Sequence, residues 1–331
     1  MDAQSTTGHA PSIVVAIPTF KRPERLAELL PNVGAQLAAL QREGIISRGG
    51  IVVVDNDGAG SARRVVEPAY SDMPARYAVE TTKGIPAVRN RALDESLDFE
   101  LLAFIDDDEL PLEGWLRSLV ETYTEFGRPA AVMGRVVSIF AEDVDPWVTA
   151  TGLFQRPQRE TGTEISVAAT GNLLLDLDQV RASGVRFDES IGLGGGSDTL
   201  FSMMLKRTGA RMVWCNESVT EDTVEIERQT RAWALKRAYS HGNVATRVRL
   251  QLEANPRVRL ILRAKGVAGG AGRVVVGVLR HLLGRVTRSM GHSARGLRLA
   301  YRGAGMVAAA GGRSYAAYAG AHAPATPAPS A

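Results

Sequence analysis

Four short runs, mostly apolar and rich in β-branched or aromatic residues, set the pattern of the first third of the chain: "SIVVAIP" (12–18), "GIVVVDN" (50–56), "ARYAVE" (75–80) and "LLAFIDD" (101–107). Between and after them the apolar spacing changes to a helical period, over Arg22 to Gln41, Gly84 to Leu97 and Leu112 to Phe126. Strands that are apolar on both faces and alternate with helices predict an α/β fold, an open, mostly parallel sheet flanked by helices. Residues 130–140, 166–176 and 211–220 add further strands, and the middle one, "SVAATGNLLLD", is expected to run antiparallel. In such sheets ligands bind beyond the C-terminal strand ends, so the polar residues there are the candidates for function.

After about Asn243 the pattern changes. "RVVVGVLRHLLGRVTRSM" (273–290) predicts one amphipathic helix, with Val275, Leu279, Leu282, Leu283, Val286 and Met290 on one face and Arg273, Arg280 and Arg288 opposite. The expected organisation is a disordered N-terminus over 1–10, a catalytic domain over 11–243, a basic helical extension over 244–320 and a disordered Ala/Pro tail over 321–331. Charge sharpens this division. From Arg231 to Ala331 there are 17 lysines and arginines against one acid, Glu253, whereas residues 1–230 hold 22 basic and 35 acidic residues. The acidic part is suited to a metal and the basic part to a polyanionic surface.

A content of 45% hydrophobic residues over 331 positions supports a full buried core. The apolar run Ile13 to Ile17 is too short for a signal peptide or a membrane span. Cys215 is the single cysteine, which excludes an intramolecular disulfide and makes the cytoplasm the expected compartment.

The chemistry centres on "LLAFIDDDELP", where four consecutive acids, Asp106 to Glu109, follow a buried strand. Alternation along an extended strand would send Asp106 and Asp108 to the ligand side, with Asp107 and Glu109 turned away as support or caps. Paired carboxylates of this kind hold Mg²⁺ or Mn²⁺, completed by substrate phosphates and water. The plain alternative is a surface turn that caps the helix after Pro111. In "AIPTFKRPERLAELL", Thr19, Lys21 and Arg22 lie where a nucleotide would sit, although the loop has none of the glycines of a phosphate-binding fingerprint. Asp55, Asn56 and Asp57 end the second strand and suit a base edge or ribose hydroxyl, or else an ordinary turn. Arg89 and Asn90 lie on a helix just upstream of the acid strand; Arg89 is surface charge or, since a guanidinium there suits a diphosphate, a donor contact. In "GLGGGSDTLFSMML", Ser197 or Asp198 is a good helix cap; alternatively Asp198 is a general base facing an acceptor hydroxyl. Trp147, Phe154 and Arg156, on the 140–165 loop, either line an acceptor site or pack.

In this order, "IPTFKRP", "VVVDND", "KGIPAVRNRAL", "AFIDDDELP", "TGNLLL" and "GLGGGSDTLFSMML" resemble the family 2 glycosyltransferases of the GT-A fold, the bacterial succinoglycan-type branch above all. The resemblance covers roughly Pro11 to Asn243. It implies an inverting, metal-dependent transfer from a nucleotide-diphosphate sugar, expected to be a UDP-sugar, to a glycan or lipid-linked acceptor in surface polysaccharide synthesis. By position, Thr19, Asp55 and Arg89 would hold the nucleotide, with Pro18, Arg22, Asn56, Asp57, Gly84, Asn90 and Asp107 beside the donor. Asp106 would contact ribose and metal, Asp108 the metal (Mn²⁺ or Mg²⁺), and Asp198 would be the base. Trp115, Gly171, Asn172 and Ser197 would lie on the acceptor side. Ser197 stands where the family usually has glutamate, a departure that admits a catalytically impaired homologue. "TEDT" (220–223) stands where many members have a histidine near the metal, which brings in Glu221. The QxxRW motif of processive synthases is missing, and this implies one sugar per turnover.

Two other classes compete. A nucleic-acid-binding protein would use the basic tail, yet few aromatics and no binding motif accompany its charge, so no nucleic-acid partner is expected. A helix on an anionic membrane fits the amphipathic period better, which places the protein in the cytoplasm, peripheral on the inner face of the plasma membrane. A helix packed on the catalytic domain with a solvated arginine face is the alternative. A nucleotidyltransferase would have a glycine-rich loop after the first strand, where this chain has "PTFKRP".

Overall fold

β1 (Ser12–Thr19) shows why the sheet forms: Ile13 to Ile17 expose no surface, and alternate residues feed two separate cores. Ile13, Val15 and Ile17 pack with Leu26, Leu29, Leu30, Val33, Leu37 and Leu40 of α1 (Pro23–Arg42), a stripe at helical spacing behind a first-turn proline. Val14 and Ala16 face the opposite way, towards Val88, Ala92 and Leu93 of α3 (Ile85–Asp94). Between them run β2 (Arg48–Asp55), α2 (Arg63–Val66) and β3 (Ala75–Val79). After α3 come β4 (Leu101–Ile105), β5 (Glu109–Pro111), α4 (Trp115–Glu125) and β6 (Ala131–Ile139). α5 (Pro146–Ala150), β7 (Asn172–Asp176), α6 (Leu177–Ser183), α7 (Ser197–Arg207) and β8 (Met212–Thr223) follow, and α8 (Arg231–Gln251), α9 (Pro256–Val286) and α10 (Met290–Ala310) end the series.

This is a computed structural model, and it describes residues 9–67, 75–140, 143–156 and 158–315. Residues 1–8 and the expected Ala/Pro tail at 321–331 lie outside the described residues. The eight strands form one sheet in the order β3-β2-β1-β4-β7-β6-β8-β5. The β3-β2-β1-β4 half is parallel, as expected from the strand–helix alternation. β7 runs antiparallel to both β4 and β6, and β5 antiparallel to β8, so the sheet is mixed rather than mostly parallel.

The chain divides into two compact units. The first comprises the described residues up to Val137, with Arg156–Asp188 and Phe201–Thr223; the second comprises Ser138–Gln155, Glu189–Leu200 and the chain from Val224. The change expected near Asn243 falls inside α8, which starts where the Thr230 side chain accepts a bond from the Trp233 amide and continues unbroken to Gln251. Charge composition shifts there, but helix propensity does not, so nothing stops the helix at 243. Within the second unit, Trp147 and Val148 pack with Ala234 and Ala294, and Phe154 stacks on Trp233 at 5.7 Å. The single helix expected over 273–290 is two: α9 ends at Val286, Arg288 takes φ 54°, and Ser289 caps α10.

Candidate active site

β4 delivers the acids, but not as an extended strand. It ends at Ile105, and Asp106 to Asp108 form a turn closed by the Glu109 amide donating to the Asp106 carbonyl at 3.1 Å. Strand alternation therefore does not govern the three aspartates, and Asp107 does not turn away. Its carboxylate accepts from the Thr19 hydroxyl at 2.8 Å and from Arg22 Nη1 at 3.0 Å, and the same Arg22 nitrogen donates to Asp108 at 2.9 Å. Arg22 reaches them because Lys21 takes φ 55°, a left-handed turn costly to a residue with a side chain, just after β1. Nor do the acids cap the next helix: α4 starts behind Gly114 in the left-handed region.

Glu109 is buried at the start of β5, directly opposite Asp222 of β8, and accepts from the Thr220 hydroxyl at 2.7 Å. Burial first, and then the neighbouring Asp106, Asp108 and Asp222, push its carboxyl well above the ordinary glutamate range. Burial also raises Asp107, and Asp108 adds to the rise while Arg22 opposes it. The β8 register corrects one expectation. Glu221 pairs with Leu110, whose side chain points to the other face, so Asp222 is the β8 acid that faces the cluster. The side chains of Arg156 and Asp222 come within 3.9 Å.

Gly171 completes the turn's surroundings. A Cβ there would fall on the Glu109 carboxylate and lie 3.3 Å from Asp106 Oδ2, so the backbone itself lies against the acids. Its neighbours on the expected acceptor side do not join it. Trp115 and Asn172 have no exposed surface; the indole donates to the Asn172 carbonyl oxygen at 2.9 Å, and the Asn172 amide donates to the carbonyls of Arg135 and Ser218. These two residues tie α4 to the sheet, and burial removes them from any sugar surface.

The donor-side candidates form a second group, joined to the first where the Asn56 amide donates to the Thr19 carbonyl at 2.9 Å. Asp55 is fully buried and accepts from the amides of Asp57 and Ala62 and from Tyr77 Oη, at 2.8, 2.9 and 2.7 Å. Asn56 donates to the carbonyls of Glu80 and Thr82 and accepts from the Gly84 amide, which fixes the entry to α3, where Gly84 takes φ 124°. Asp57 accepts from Ala59 and is half-buried, and Pro18 lies within β1. Arg89 is buried with its guanidinium 5.6 Å from the Phe187 ring centroid, and Asn90 pairs with both the amide and the carbonyl of Phe187. In the second unit, Gly196 at φ 97° leads into α7, Ser197 is buried, and the Asp198 carboxylate accepts from the Thr199 amide at 2.7 Å.

The donor set suits a small, hard dication. Asp106 and Asp108 offer only carboxylate oxygens, and burial first and then the crowding of Asp106, Asp108 and Asp222 raise the Glu109 carboxyl, a crowding that a hard cation would relieve. Among the described residues no three acids, histidines or cysteines close into a metal cage. Two carboxylates with the remaining positions open is the arrangement that substrate phosphates complete. Sequence reasoning missed Thr220, Asp222 and Tyr77, whose roles depend on strand register and have no local signature.

Comparison with known proteins gives the family and the fold. The family model described as glycosyl transferase family 2 matches residues 14–180, which contain most of β1, all of β2 and β4, and the acid turn. The succinoglycan biosynthesis protein ExoM of Rhizobium meliloti (strain 1021) is 32% identical over 238 residues, 71% of this chain and 74% of that protein. The chain belongs to glycosyl transferase family 2. Solved structures extend the family's fold to this chain. The mannosyltransferase PcManGT of Pyrobaculum calidifontis, in complex with GDP-Man and Mn²⁺, aligns with TM-score 0.56 at 18% identity, over 89% of this chain and 86% of that one. S. aureus TarS 1-349 in complex with UDP-GlcNAc aligns with TM-score 0.51 at 14% identity, over 86% and 89%. The family 2 chain is a glycosyltransferase with the GT-A fold, of the exopolysaccharide type.

Proposed function

We propose that the protein is an inverting, metal-dependent glycosyltransferase that moves one sugar from a nucleotide-diphosphate sugar, of the UDP class, to a hydroxyl of a glycan or lipid-linked acceptor. It works in the cytoplasm at the inner face of the plasma membrane, in the synthesis of a bacterial surface polysaccharide. The observation that carries this reading is the Asp106–Asp108 turn at the C-terminal end of β4, bound by Thr19 and Arg22 from the β1 loop. The UDP-GlcNAc bound by TarS and the GDP-Man bound by PcManGT support a nucleotide-diphosphate-sugar donor, and the name of ExoM supports the polysaccharide context.

Asp106 and Asp108 would hold Mn²⁺ or Mg²⁺, which when bound offsets the negative charge that develops on the departing diphosphate. Thr19 and Arg22 position the turn, Asn56 and Gly84 shape the nucleotide side, and Arg89 supplies a cation for the diphosphate. Asp198 takes the proton of the acceptor hydroxyl as its oxygen bonds to the anomeric carbon. The bond from that carbon to the phosphate oxygen breaks on the opposite face, its electron pair leaves with the nucleoside diphosphate, and one displacement inverts the configuration.

The direct test is a panel of nucleotide sugars read by thermal shift with and without Mn²⁺. At least one donor stabilises the protein in a metal-dependent way, and a flat panel overturns the proposal. Asp198→Asn keeps that stabilisation and loses transfer by more than ~100-fold. Near-normal turnover in this variant would take Asp198 out of the mechanism.

A further inference from the structure

Within the second unit, the α9–α10 pair packs in a way that does not suit water. The buried residues of α9 are Gly266, Gly270, Gly277 and Gly284, all glycine and spaced to share one helix face. α10 meets them with alanines and glycines. A Cβ on Gly277 would lie 2.5 Å from the Ala300 amide nitrogen and 2.6 Å from the Gly296 carbonyl, and one on Gly303 would lie 2.5 Å from the Gly270 carbonyl. The two backbones touch, and the seam has no room for an aliphatic side chain. The large aliphatics point outward instead: Leu260, Val275, Leu279, Leu282 and Val286 are 53–83% exposed. A helix pair stabilised by water would bury that face. Small residues in the seam with large aliphatics outside is the packing used where hydrocarbon is the solvent.

Charge indicates how the pair meets that solvent. Residues 256–310 carry eleven lysines and arginines and no acid, which complements anionic headgroups. By length, and by a mean hydropathy of 1.2 over its best window, α9 could cross a bilayer. However, no stretch of it longer than seven residues is free of lysine and arginine, so crossing would draw Arg273 or Arg280 towards the midplane. A helix lying in the interface avoids this, because long arginine side chains reach up to the phosphates while the aliphatic face sinks among the acyl chains.

We infer that the α9–α10 hairpin is a membrane-inserting element that lies in the interface of an anionic bilayer, with its outward aliphatic face in the hydrocarbon and its arginines on the lipid phosphates. It replaces the one amphipathic helix expected over 273–290 with a hairpin of two helices. It deepens the membrane placement proposed above, and its test reads lipid binding without sugar transfer, so the two can fail separately.

The full-length protein is sedimented with vesicles of phosphatidylglycerol and phosphatidylcholine, or of phosphatidylcholine alone, and the pellets are washed with about 1 M salt, which shortens electrostatic reach to about 3 Å. The protein pellets with the anionic vesicles and stays bound through the wash. A double variant, Leu279→Gln with Leu283→Gln, lowers partitioning by about a hundredfold or more while keeping the donor-dependent thermal shift. Complete release by salt, or no pelleting, overturns the inference. So does a dimer by light scattering that the double variant converts to monomer, since a second copy would then cover the face.

Discussion

β1 and α9 have similar appetites for valine, leucine and isoleucine and place them in opposite ways. In β1 the five residues from Ile13 to Ile17 are wholly buried, between leucines of α1 on one side and α3 on the other. In α9 the buried residues are four glycines, while Leu260, Leu279, Leu282 and Leu283 are exposed. The sheet obeys the rule for a protein dissolved in water; the hairpin obeys the rule for one partly dissolved in lipid. Formal charge divides the same way, since the acidic part of the chain contains the carboxylate turn and the basic part the hairpin. Hydrophobicity alone therefore does not identify a core, and what decides is which residues the backbone geometry can admit between elements.

The contrast can be broken most strongly at the acid turn. Asp108→Asn, in the acidic part, is expected to abolish the Mn²⁺-dependent donor shift and cut transfer by about a hundredfold to a thousandfold, measured against unchanged thermal stability without metal. Gly171→Ala tests whether the turn needs bare backbone beside it. The new methyl group would displace Glu109, and a clear fall in donor-dependent stabilisation is expected by the same assay.

A matched pair of leucines sharpens the comparison itself. Leu174→Ala, fully buried in β7, should lower the unfolding free energy by about 2–5 kcal/mol. Leu279→Ala, 60% exposed in α9, should change it by no more than about 0.5 kcal/mol in detergent-free buffer. Equal costs in denaturant titrations would mean that the hairpin face is covered by protein. The smallest effect concerns Asp145, which accepts from the Trp147 amide at 2.8 Å and from Arg231 Nε at 2.6 Å. The Arg231 bond and then the amide hold its carboxyl below the usual range. Because the folded state binds this proton less tightly than the unfolded chain, the stabilisation is present above the ordinary aspartate pKa and is lost as pH falls through the lowered folded value. Asp145→Ala should cost about 1 kcal/mol at pH 7 from the lost helix cap, and the difference should narrow in acid-unfolding curves.

Much of the catalytic region was legible because local signals and burial agree there. The apolar runs at 12–18, 50–56, 75–80 and 101–107 became four parallel strands with ends within two residues of those read, and the antiparallel strand was found at "NLLLD". Site residues were less legible than site location. Asp107 was assigned to the wrong side because the strand stops at Ile105, so side-chain alternation no longer applies. That Asp222 rather than Glu221 shares the face of Glu109 follows from register with β5, a non-local property. Trp115 and Asn172 looked like ligand-facing polar or aromatic residues and proved to be bonded to each other in the core.

The sequence by itself determined the family, the order of the strands and helices, the carboxylate run and the opposite charge of the two parts of the chain, all of which are carried by neighbouring residues or by composition. Tertiary structure decided the rest. It turned Asp107 and Asp108 onto one arginine, brought Asp222 and Gly171 to Glu109, carried α8 unbroken through Asn243, and chose glycine over leucine for the α9–α10 seam. Each of these depends on contacts between residues distant in the chain. Periodicity shows that one face of a helix differs from the other, and only the partner's backbone shows which face is inside.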